Sequence, residues 1–304
     1  MKVLIVGLGS IAKKHIYALK AVVGNDVEFF ALRSSSMAKI HDGVKNIYDI
    51  KGLEKYQFDF AIISNPTAFH HVAIQQLLPL QIPLFIEKPL FDSLDYDEMV
   101  ERITNSPVKT YVACNLRFLN CLAFAQKFLE EHRINEVNVY CGSYLPGWHP
   151  GENFRLGYSA NRHLGGGVHI DLIHEIDYVY WLFGSPRSVS RFLKDKSSLQ
   201  IDATDYANYL FDYEAFPINV VLNYFRKDSK RSLEVVCENG TLYVNLLTNE
   251  CFWNGESVFS SNQRIIDTYT TQIEYFLREV VTPGNSTHFN KINEAYDVLR
   301  LCLS

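Results

Sequence analysis

Short apolar runs alternate with amphipathic stretches through the first third of the chain. Buried strands are predicted for the apolar runs at residues 2–6, 27–32, 58–63, 84–86 and 110–114. The stretches between them, such as residues 10–22 and 70–77, have the apolar spacing of helices. Because strands and helices alternate at this spacing, we expect a parallel sheet with right-handed crossovers over residues 1–118.

The pattern changes after residue 118. We expect a helix at residues 121–132, a strand at 136–143, a long polar and aromatic loop through Arg162, and helices at 168–183, 267–281 and 290–303. Residues 205–259 have the pattern of successive strands, with turns predicted at Asn239-Gly240 and Asn254-Gly255, as in an antiparallel meander. The fold class is therefore α/β at the N-terminus, followed by an α+β domain over residues 119–304 with an open, mostly antiparallel sheet.

Composition excludes several classes of protein. The 304 residues are 47% hydrophobic and 21% charged, which suits a full core, and the net charge of −5 with scattered Lys and Arg argues against nucleic acid or an anionic membrane as partner. The first apolar run is too short for a signal peptide, and no run approaches the ~20 apolar residues of a membrane span. The six cysteines form no CxxC pair, so we expect reduced thiols, no metal site and a cytoplasmic protein.

A glycine-rich turn follows the first predicted strand and opens the first helix. It reads Gly7-Leu8-Gly9-Ser10-Ile11-Ala12. Gly7 permits the tight turn, Gly9 permits approach of a pyrophosphate, and Ala12 permits close packing of helix on strand. Any tight strand–helix turn favours glycine, but the position near the N-terminus favours a dinucleotide-binding Rossmann domain, with the cofactor on residues 7–11.

The end of the second strand bears on the choice of cofactor. A carboxylate there would bind the adenosine ribose of NAD, but the chain reads Arg33-Ser34-Ser35-Ser36. Arg33 could pair with a 2′-phosphate and Ser34 could donate a hydrogen bond to it, which favours NADP over NAD. The alternative is an ordinary solvated loop.

Five motifs in order resemble those of the Gfo/Idh/MocA family of sugar-related oxidoreductases, essentially from end to end. They are residues 7–12, Ser64-Asn65-Pro66-Thr67 with His70, Glu87-Lys88-Pro89, Asn115-Leu116-Arg117-Phe118, and the stretch from Gly165-Gly166-Gly167 to Asp177. Alone, Lys88 would be taken as a solvated lysine. The resemblance implies a Rossmann domain followed by an α+β domain that binds substrate and forms oligomers.

The same resemblance implies roles for individual residues. Ser64, Asn65, Pro66 and His70 would line the nicotinamide side of the cofactor groove, Glu87 would help hold the cofactor, and Lys88 would point at the substrate oxygen. Asn115 and Arg117 would lie at the domain junction near the reacting centre. For these last two, a structural hydrogen bond and ion pair is an equal alternative.

The helix predicted at residues 168–183 carries candidate acid–base groups. Its spacing places an apolar stripe on one side and Asp171, His174 and Tyr178 on the other, where a solvated polar face is the alternative. Histidine suits proton exchange with a substrate hydroxyl because its ordinary pKa lies near working pH. The family usually places an Asp and a His four residues apart here, whereas this chain has three, resembling a subset that reads Asp-Leu-x-His-Glu-x-Asp. We expect His174 to be the acid/base and Asp171 to orient it or bind a hydroxyl; His169 is a weaker candidate.

The preceding loop is rich in aromatic and hydrogen-bonding groups that suit a sugar ring. Trp148, His149, Tyr158 and Arg162 are candidates for substrate contact, and Arg162 could bind a phosphate or carboxylate. A loop that merely covers the sheet is the alternative for each.

These features together predict an NADP- or NAD-dependent dehydrogenase or reductase that acts on a CH–OH group of a sugar, nucleotide-sugar or cyclitol. An NAD-dependent glycoside hydrolase of the same family and a non-catalytic dinucleotide or sugar sensor are alternatives, although Lys88, Asp171 and His174 speak against a sensor. The family resemblance implies a homodimer or homotetramer.

Overall fold

The computed structural model describes residues 1–33, 35, 41–282 and 288–304. The chain forms two compact units. The first comprises residues 1–115 and 269–303, and the second comprises residues 116–268 together with Ser304.

A six-stranded parallel sheet is the centre of the first unit. Its strands are β1 (Lys2–Val6), β2 (Glu28–Leu32), β3 (Val44–Ile47), β4 (Phe60–Ile63), β5 (Leu84–Glu87) and β6 (Thr110–Ala113). They lie in the order β3-β2-β1-β4-β5-β6. The order reverses between β1 and β4, and open α/β sheets bind their ligands at the carboxyl ends of the strands at such a point. The predicted Rossmann fold is confirmed.

The central strands are apolar because helices cover both faces of the sheet. Every residue of β4 and β5 is buried, and so is every residue of β6, although β6 is the last strand of the sheet. The helices of the N-terminal part of this unit are α1 (Ser10–Val23), α2 (His70–Leu77) and α3 (Asp97–Thr104). Among the described residues, no helix is long and apolar enough to cross a membrane. The edge strand β3 and the helix α3 were not predicted, since β3 has one buried residue in four and α3 only two turns.

An eight-stranded sheet forms most of the second unit. Its strands are β7 (Ile134–Tyr144), β8 (Ser188–Lys194), β9 (Tyr206–Asp212), β10 (Pro217–Asn223), β11 (Phe225–Cys237), β12 (Gly240–Asn245), β13 (Glu250–Trp253) and β14 (Glu256–Ser260). The order is β14-β13-β12-β11-β7-β10-β9-β8. All neighbours are antiparallel except β7 and β10, so the predicted mostly antiparallel sheet is confirmed. Asn254 and Gly255, both with positive φ, turn β13 into β14 as predicted.

Three helices accompany this sheet. They are α4 (Asn120–Leu129), α5 (Val168–Asp171) and α6 (His174–Phe183). A single helix over residues 168–183 was predicted, but Leu172 has φ −99° and ψ 29°, outside the helical region, and the chain turns through Leu172 and Ile173 before α6 begins.

The last two helices differ from the predicted domain arrangement. Helix α7 (Thr268–Phe276), a π-helical turn (Leu277–Val281) and α8 (Ile292–Leu303) end the chain. From Tyr269 to Leu303 the chain belongs to the first unit, in which α8 packs on α3 and β6. The sequence placed these helices in the second domain because chain order alone does not reveal a return to the first sheet.

Candidate active site

The glycine turn has the local geometry that a phosphate site requires. Gly7 has φ +87°, and a Cβ there would lie 2.4 Å from both the Cα and the N of Asn65, so only glycine fits. Gly9 differs, because a Cβ there would meet no heavy atom of the described chain within 4 Å. Ala12 is fully buried beneath the turn. The backbone is therefore tight at Gly7 and open at Gly9, as expected where a ligand approaches.

The first turn of α1 adds favourable electrostatics. Gly9 is the N-cap residue, no side chain of the described residues caps the helix, and its first turn has no acidic residue. Ser10 is exposed, and Leu8 and Ile11 are half-buried. Free N–H groups at a helix N-terminus bind anions well. The residues present thus fit the pyrophosphate of a dinucleotide.

Ser64, Asn65 and Pro66 follow β4 and lie beside the glycine turn. The hydroxyl of Ser64 donates to the carbonyl oxygen of Gly7 at 2.8 Å, and its backbone N–H donates to Val6 O at 2.8 Å. The side-chain amide of Asn65 donates to Phe69 O at 3.2 Å, and Pro66 is exposed. In this structure the Ser64 hydroxyl therefore secures the turn.

His70 is 1% exposed and supports the same loop. Its Nδ1 lies 3.1 Å from Leu90 O, and its Nε2 lies 3.0 Å from Asn65 O. Burial lowers the pKa of His70, so the ring is neutral near neutral pH and donates to one of these carbonyls. The geometry gives His70 a role in holding two backbone segments, and its predicted cofactor contact stays a prediction.

Arg33 directly follows β2 at the carboxyl edge of the sheet. Its backbone N–H donates to Ile47 O at 2.8 Å, and the residue is half-buried. Since Leu32 pairs with Val6, Arg33 begins one strand away from Gly7. Ser34 lies outside the described residues.

Glu87 ends β5 and is bound by a histidine that the sequence did not reveal. The Nε2 of His15, which is fully buried on α1, donates to Glu87 Oε1 at 2.5 Å. Glu87 Oε2 accepts a hydrogen bond from the backbone N–H of Lys88 at 3.2 Å. The carboxylate thus connects the helix of the glycine turn to the start of the Lys88 loop. His15 falls on the buried side of α1 with Ala12 and Leu19, which was the available signal.

Arg117 forms a buried ion pair instead of facing open space. Its Nε and Nη2 donate to Oδ2 and Oδ1 of Asp177 at 2.9 and 2.7 Å, and both side chains are at most 1% exposed. Both residues belong to the second unit. Of the two alternatives for Arg117, this geometry supports the structural ion pair. Asn115 is 5% exposed and belongs to the first unit.

Asp171 and His174 flank the break between α5 and α6, and both are half-buried. Asp171 Oδ2 accepts a hydrogen bond from the hydroxyl of Tyr224, a residue that the sequence did not single out. Tyr224 lies directly after β10, where strand periodicity alone predicts only a packed aromatic residue.

Asp171 lies before the break between α5 and α6, whereas His174 shares a face of α6, as expected, with Tyr178. Tyr178 is fully buried, and burial together with the nearby Glu175 carboxylate raises its pKa well above the ordinary value. Glu175 itself is fully buried and accepts from Arg231 Nε at 2.5 Å. The helix α6 therefore turns Tyr178 into the packed interior of the unit.

The loop candidates separate into packed and exposed groups. Trp148 donates from Nε1 to Ser143 Oγ at 3.1 Å and packs edge-on against Tyr224, and Tyr158 donates to Gly165 O at 2.9 Å. His149 is exposed. Arg162, 60% exposed at its side chain, is bound to Asp195 at 2.8 Å, so any substrate anion would compete with this carboxylate.

His169 is held neutral by its surroundings. Burial, with the positive charges of Arg191 and Arg162, lowers its pKa to about 4. A histidine of this kind is a poor acid/base near neutral pH, which leaves His174 as the better candidate. In the part of the chain that the structure describes, no group of three or more His, Cys, Asp or Glu residues could hold a metal ion.

Two family models match the chain. One, described as an oxidoreductase family with an NAD-binding Rossmann fold, matches residues 1–113, and the other, described as the GFO/IDH/MocA C-terminal domain, matches residues 122–243. No curated protein matches.

Solved structures share the fold at low identity. A levoglucosan dehydrogenase in complex with NADH has a TM-score of 0.85 at 16% identity, covering 99% of this chain and 95% of that one. An oxidoreductase from Thermotoga maritima has a TM-score of 0.82 at 18% identity, with 99% and 94% covered. The WlbA dehydrogenase from Bordetella pertussis, in complex with NADH and UDP-GlcNAcA, has a TM-score of 0.78 at 18% identity, with 99% and 93% covered.

Proposed function

Because the chain belongs to the Gfo/Idh/MocA family of oxidoreductases, we propose that it is a nicotinamide-dependent dehydrogenase or reductase that acts on a CH–OH group of a sugar, nucleotide-sugar or cyclitol. The observation that carries this proposal is the open, uncapped start of α1 at Gly9, beside the point where the strand order reverses. Relatives of the same fold include a levoglucosan dehydrogenase and a dehydrogenase solved with a UDP-sugar, which supports the substrate class.

The first unit supplies the cofactor site in this proposal. The N–H groups at residues 9–11 bind the pyrophosphate, and Gly7, held by Ser64, sets the turn that aims them. Arg33 pairs with a 2′-phosphate, because no acidic residue stands at the end of β2 to repel it, and this supports NADP over NAD. When bound, the dinucleotide supplies the acceptor or donor of the hydride.

Proton chemistry and charge stabilisation are assigned to three side chains. His174 takes the hydroxyl proton of the substrate during oxidation and returns it during reduction. Lys88 stabilises negative charge that develops on the substrate oxygen. Asp171 binds a hydroxyl group. Trp148, His149, Tyr158 and Arg162 are the proposed ring and substituent contacts.

The test measures binding and turnover separately. Fluorescence titration with NADPH and NADH should show binding of both, tighter for NADPH, and a screen of sugars and nucleotide-sugars should change nicotinamide absorbance. His174→Ala should abolish turnover and leave nucleotide affinity within about twofold. Failure to bind either nucleotide contradicts the proposal, and unchanged turnover in His174→Ala removes that residue from the acid–base role.

We also propose that the protein forms a homodimer or homotetramer. The contact between copies would be the exposed face of the eight-stranded sheet. Phe192 and Leu210 are 55% and 51% exposed on neighbouring strands. They share one face of the sheet, opposite the buried Tyr209, because Phe192 pairs with Asn208 and side chains alternate along a strand. Light scattering with size-exclusion chromatography tests this, and a monomer for wild type contradicts it.

A further inference from the structure

Tyr224, directly after β10, is held by backbone hydrogen bonds and by packing of its ring. Its backbone N–H donates to Asp205 O at 3.0 Å, and its carbonyl oxygen accepts from the N–H of Leu145 at 2.8 Å. The side chain is fully buried, and its ring meets that of Trp148 edge to face with centroids 5.4 Å apart. Its hydroxyl therefore has a defined position, in which it donates to Asp171 and also meets the side chain of Ser159.

The hydrogen bond between Tyr224 and Asp171 has a fixed direction. Burial and the adjacent carboxylate of Asp171 raise the pKa of Tyr224 well above its ordinary value, so the phenol stays protonated and donates. A donor to an ionised carboxylate makes a bond roughly twice as strong as one between neutral groups.

We propose that Tyr224 is a positioning residue that holds the carboxylate of Asp171 in a fixed orientation at the break between α5 and α6. Asp171 then serves as a fixed acceptor for a substrate hydroxyl, and proton exchange is assigned to His174. This division of roles rests on the proposed function. The division of roles extends the proposed function, because it assigns to Asp171 the binding of a second substrate hydroxyl, next to the hydroxyl that reacts.

The chain provides a matched control at Tyr178. Both tyrosines are fully buried in the second unit. The Tyr178 hydroxyl has no hydrogen-bond partner among the described residues, so Tyr178→Phe removes an oxygen without removing a bond. Tyr224→Phe removes the same oxygen together with its bond to Asp171, and the ring still packs on Trp148.

The first experiment uses the protein without ligands. Melting temperatures are measured for Tyr224→Phe, Asp171→Asn, the double variant and Tyr178→Phe. We expect each substitution of the pair to lower the melting temperature by about 2–6 °C, and the double variant to fall no further than the larger single effect. Additive shifts, or no shift in Tyr224→Phe, overturn the pairing.

The second experiment measures kinetics with the sugar found in the turnover screen. In Tyr224→Phe we expect the substrate KM to rise at least about tenfold and the nucleotide affinity to stay unchanged. Tyr178→Phe should match wild type in both. If Tyr224→Phe behaves like Tyr178→Phe, the positioning role is wrong and the proposed function stands.

The two hypotheses fail in different ways. Absence of turnover by wild type on every sugar contradicts the proposed function, and with it the assignment of a substrate hydroxyl to Asp171. Additive melting shifts contradict the pairing alone, whether or not turnover is found.

Discussion

A methyl group at residue 9 tests the cofactor site more directly than any change of a charged side chain. The structure predicts that Gly9→Ala costs little stability, because the new Cβ meets no heavy atom of the described chain within 4 Å and Gly9 has φ −92°, which alanine adopts freely. Alanine is less favourable than glycine at an N-cap position, so we expect a loss of roughly 0.5 kcal/mol in the free energy of unfolding.

The expected effect on binding is larger. If the pyrophosphate approaches the backbone at Gly9, the methyl group occupies that approach and displaces it from the N–H groups of α1. Displacement that costs one charge-assisted hydrogen bond, about 1.5 kcal/mol, weakens binding of NADPH or NADH roughly tenfold. Gly7→Ala should behave in the opposite way, because its Cβ would lie 2.4 Å from the backbone of Asn65 and destabilise the fold itself.

The assay compares nucleotide affinity by fluorescence titration with stability by urea unfolding. Gly147→Ala in the second unit is the control, since its Cβ also meets no described atom within 4 Å. An unchanged nucleotide affinity in Gly9→Ala would refute the placement of the pyrophosphate. A large loss of stability in Gly9→Ala would refute the open space on which the reasoning depends.

Three further predictions concern buried polar groups. Arg117→Met should lower the free energy of unfolding by roughly 3–5 kcal/mol in urea titration, because it leaves the buried carboxylate of Asp177 without its ion-pair partner. Adding Asp177→Leu should restore most of the lost free energy. No restoration would mean that the pair does not act as a unit. Glu87→Ala should cost about 1–3 kcal/mol in the same titration because the buried ring of His15 loses its acceptor, whereas an unchanged midpoint would contradict that bond. The pKa of His169 falls from 6.5 to about 4 on folding, so the unfolded chain binds the extra proton and stability declines as pH falls from 6.5 towards 4. At pH 5 this amounts to about 2 kcal/mol relative to pH 8, and His169→Gln should remove that difference from the free energy of unfolding measured in urea at the two pH values.

Local patterns predicted most strands of the first sheet well because these strands are buried on both faces. Strands β1, β4, β5 and β6 differ from their predicted ranges by at most two residues at either end. The edge strand β3 was not predicted, because solvent covers part of it and its sequence, Val-Lys-Asn-Ile, is not a continuous apolar run. The sequence also did not predict that α7 and α8 belong to the first unit, because an apolar helix face does not specify which sheet it covers.

The candidate site shows where motif reading stops. A motif places residues at the carboxyl edge of a sheet, but it does not tell whether a side chain faces a ligand or its own backbone. Ser64 and His70 both bind backbone carbonyl oxygens, and Arg117 binds Asp177. These partners are distant in sequence, so no local pattern predicts them. Helix periodicity could place His15 on the buried side of α1, but it could not identify its partner Glu87, which lies 72 residues away in sequence.

The spacing of Asp171 and His174 can now be interpreted without a rotation. On a continuous helix, three residues instead of four would turn one side chain by about 100° relative to the other, and the two residues could not keep the relative orientation of the usual family pattern. The chain has a turn at Leu172 and Ile173 between them, so neither residue takes its direction from the helix of the other. Asp171 takes its direction from Tyr224, and His174 from the first turn of α6. The distance between the Asp171 and His174 side chains is therefore set by two separate contacts. Inserting one residue between them to restore the four-residue spacing of the family should raise the substrate KM, even though it recreates the usual family pattern.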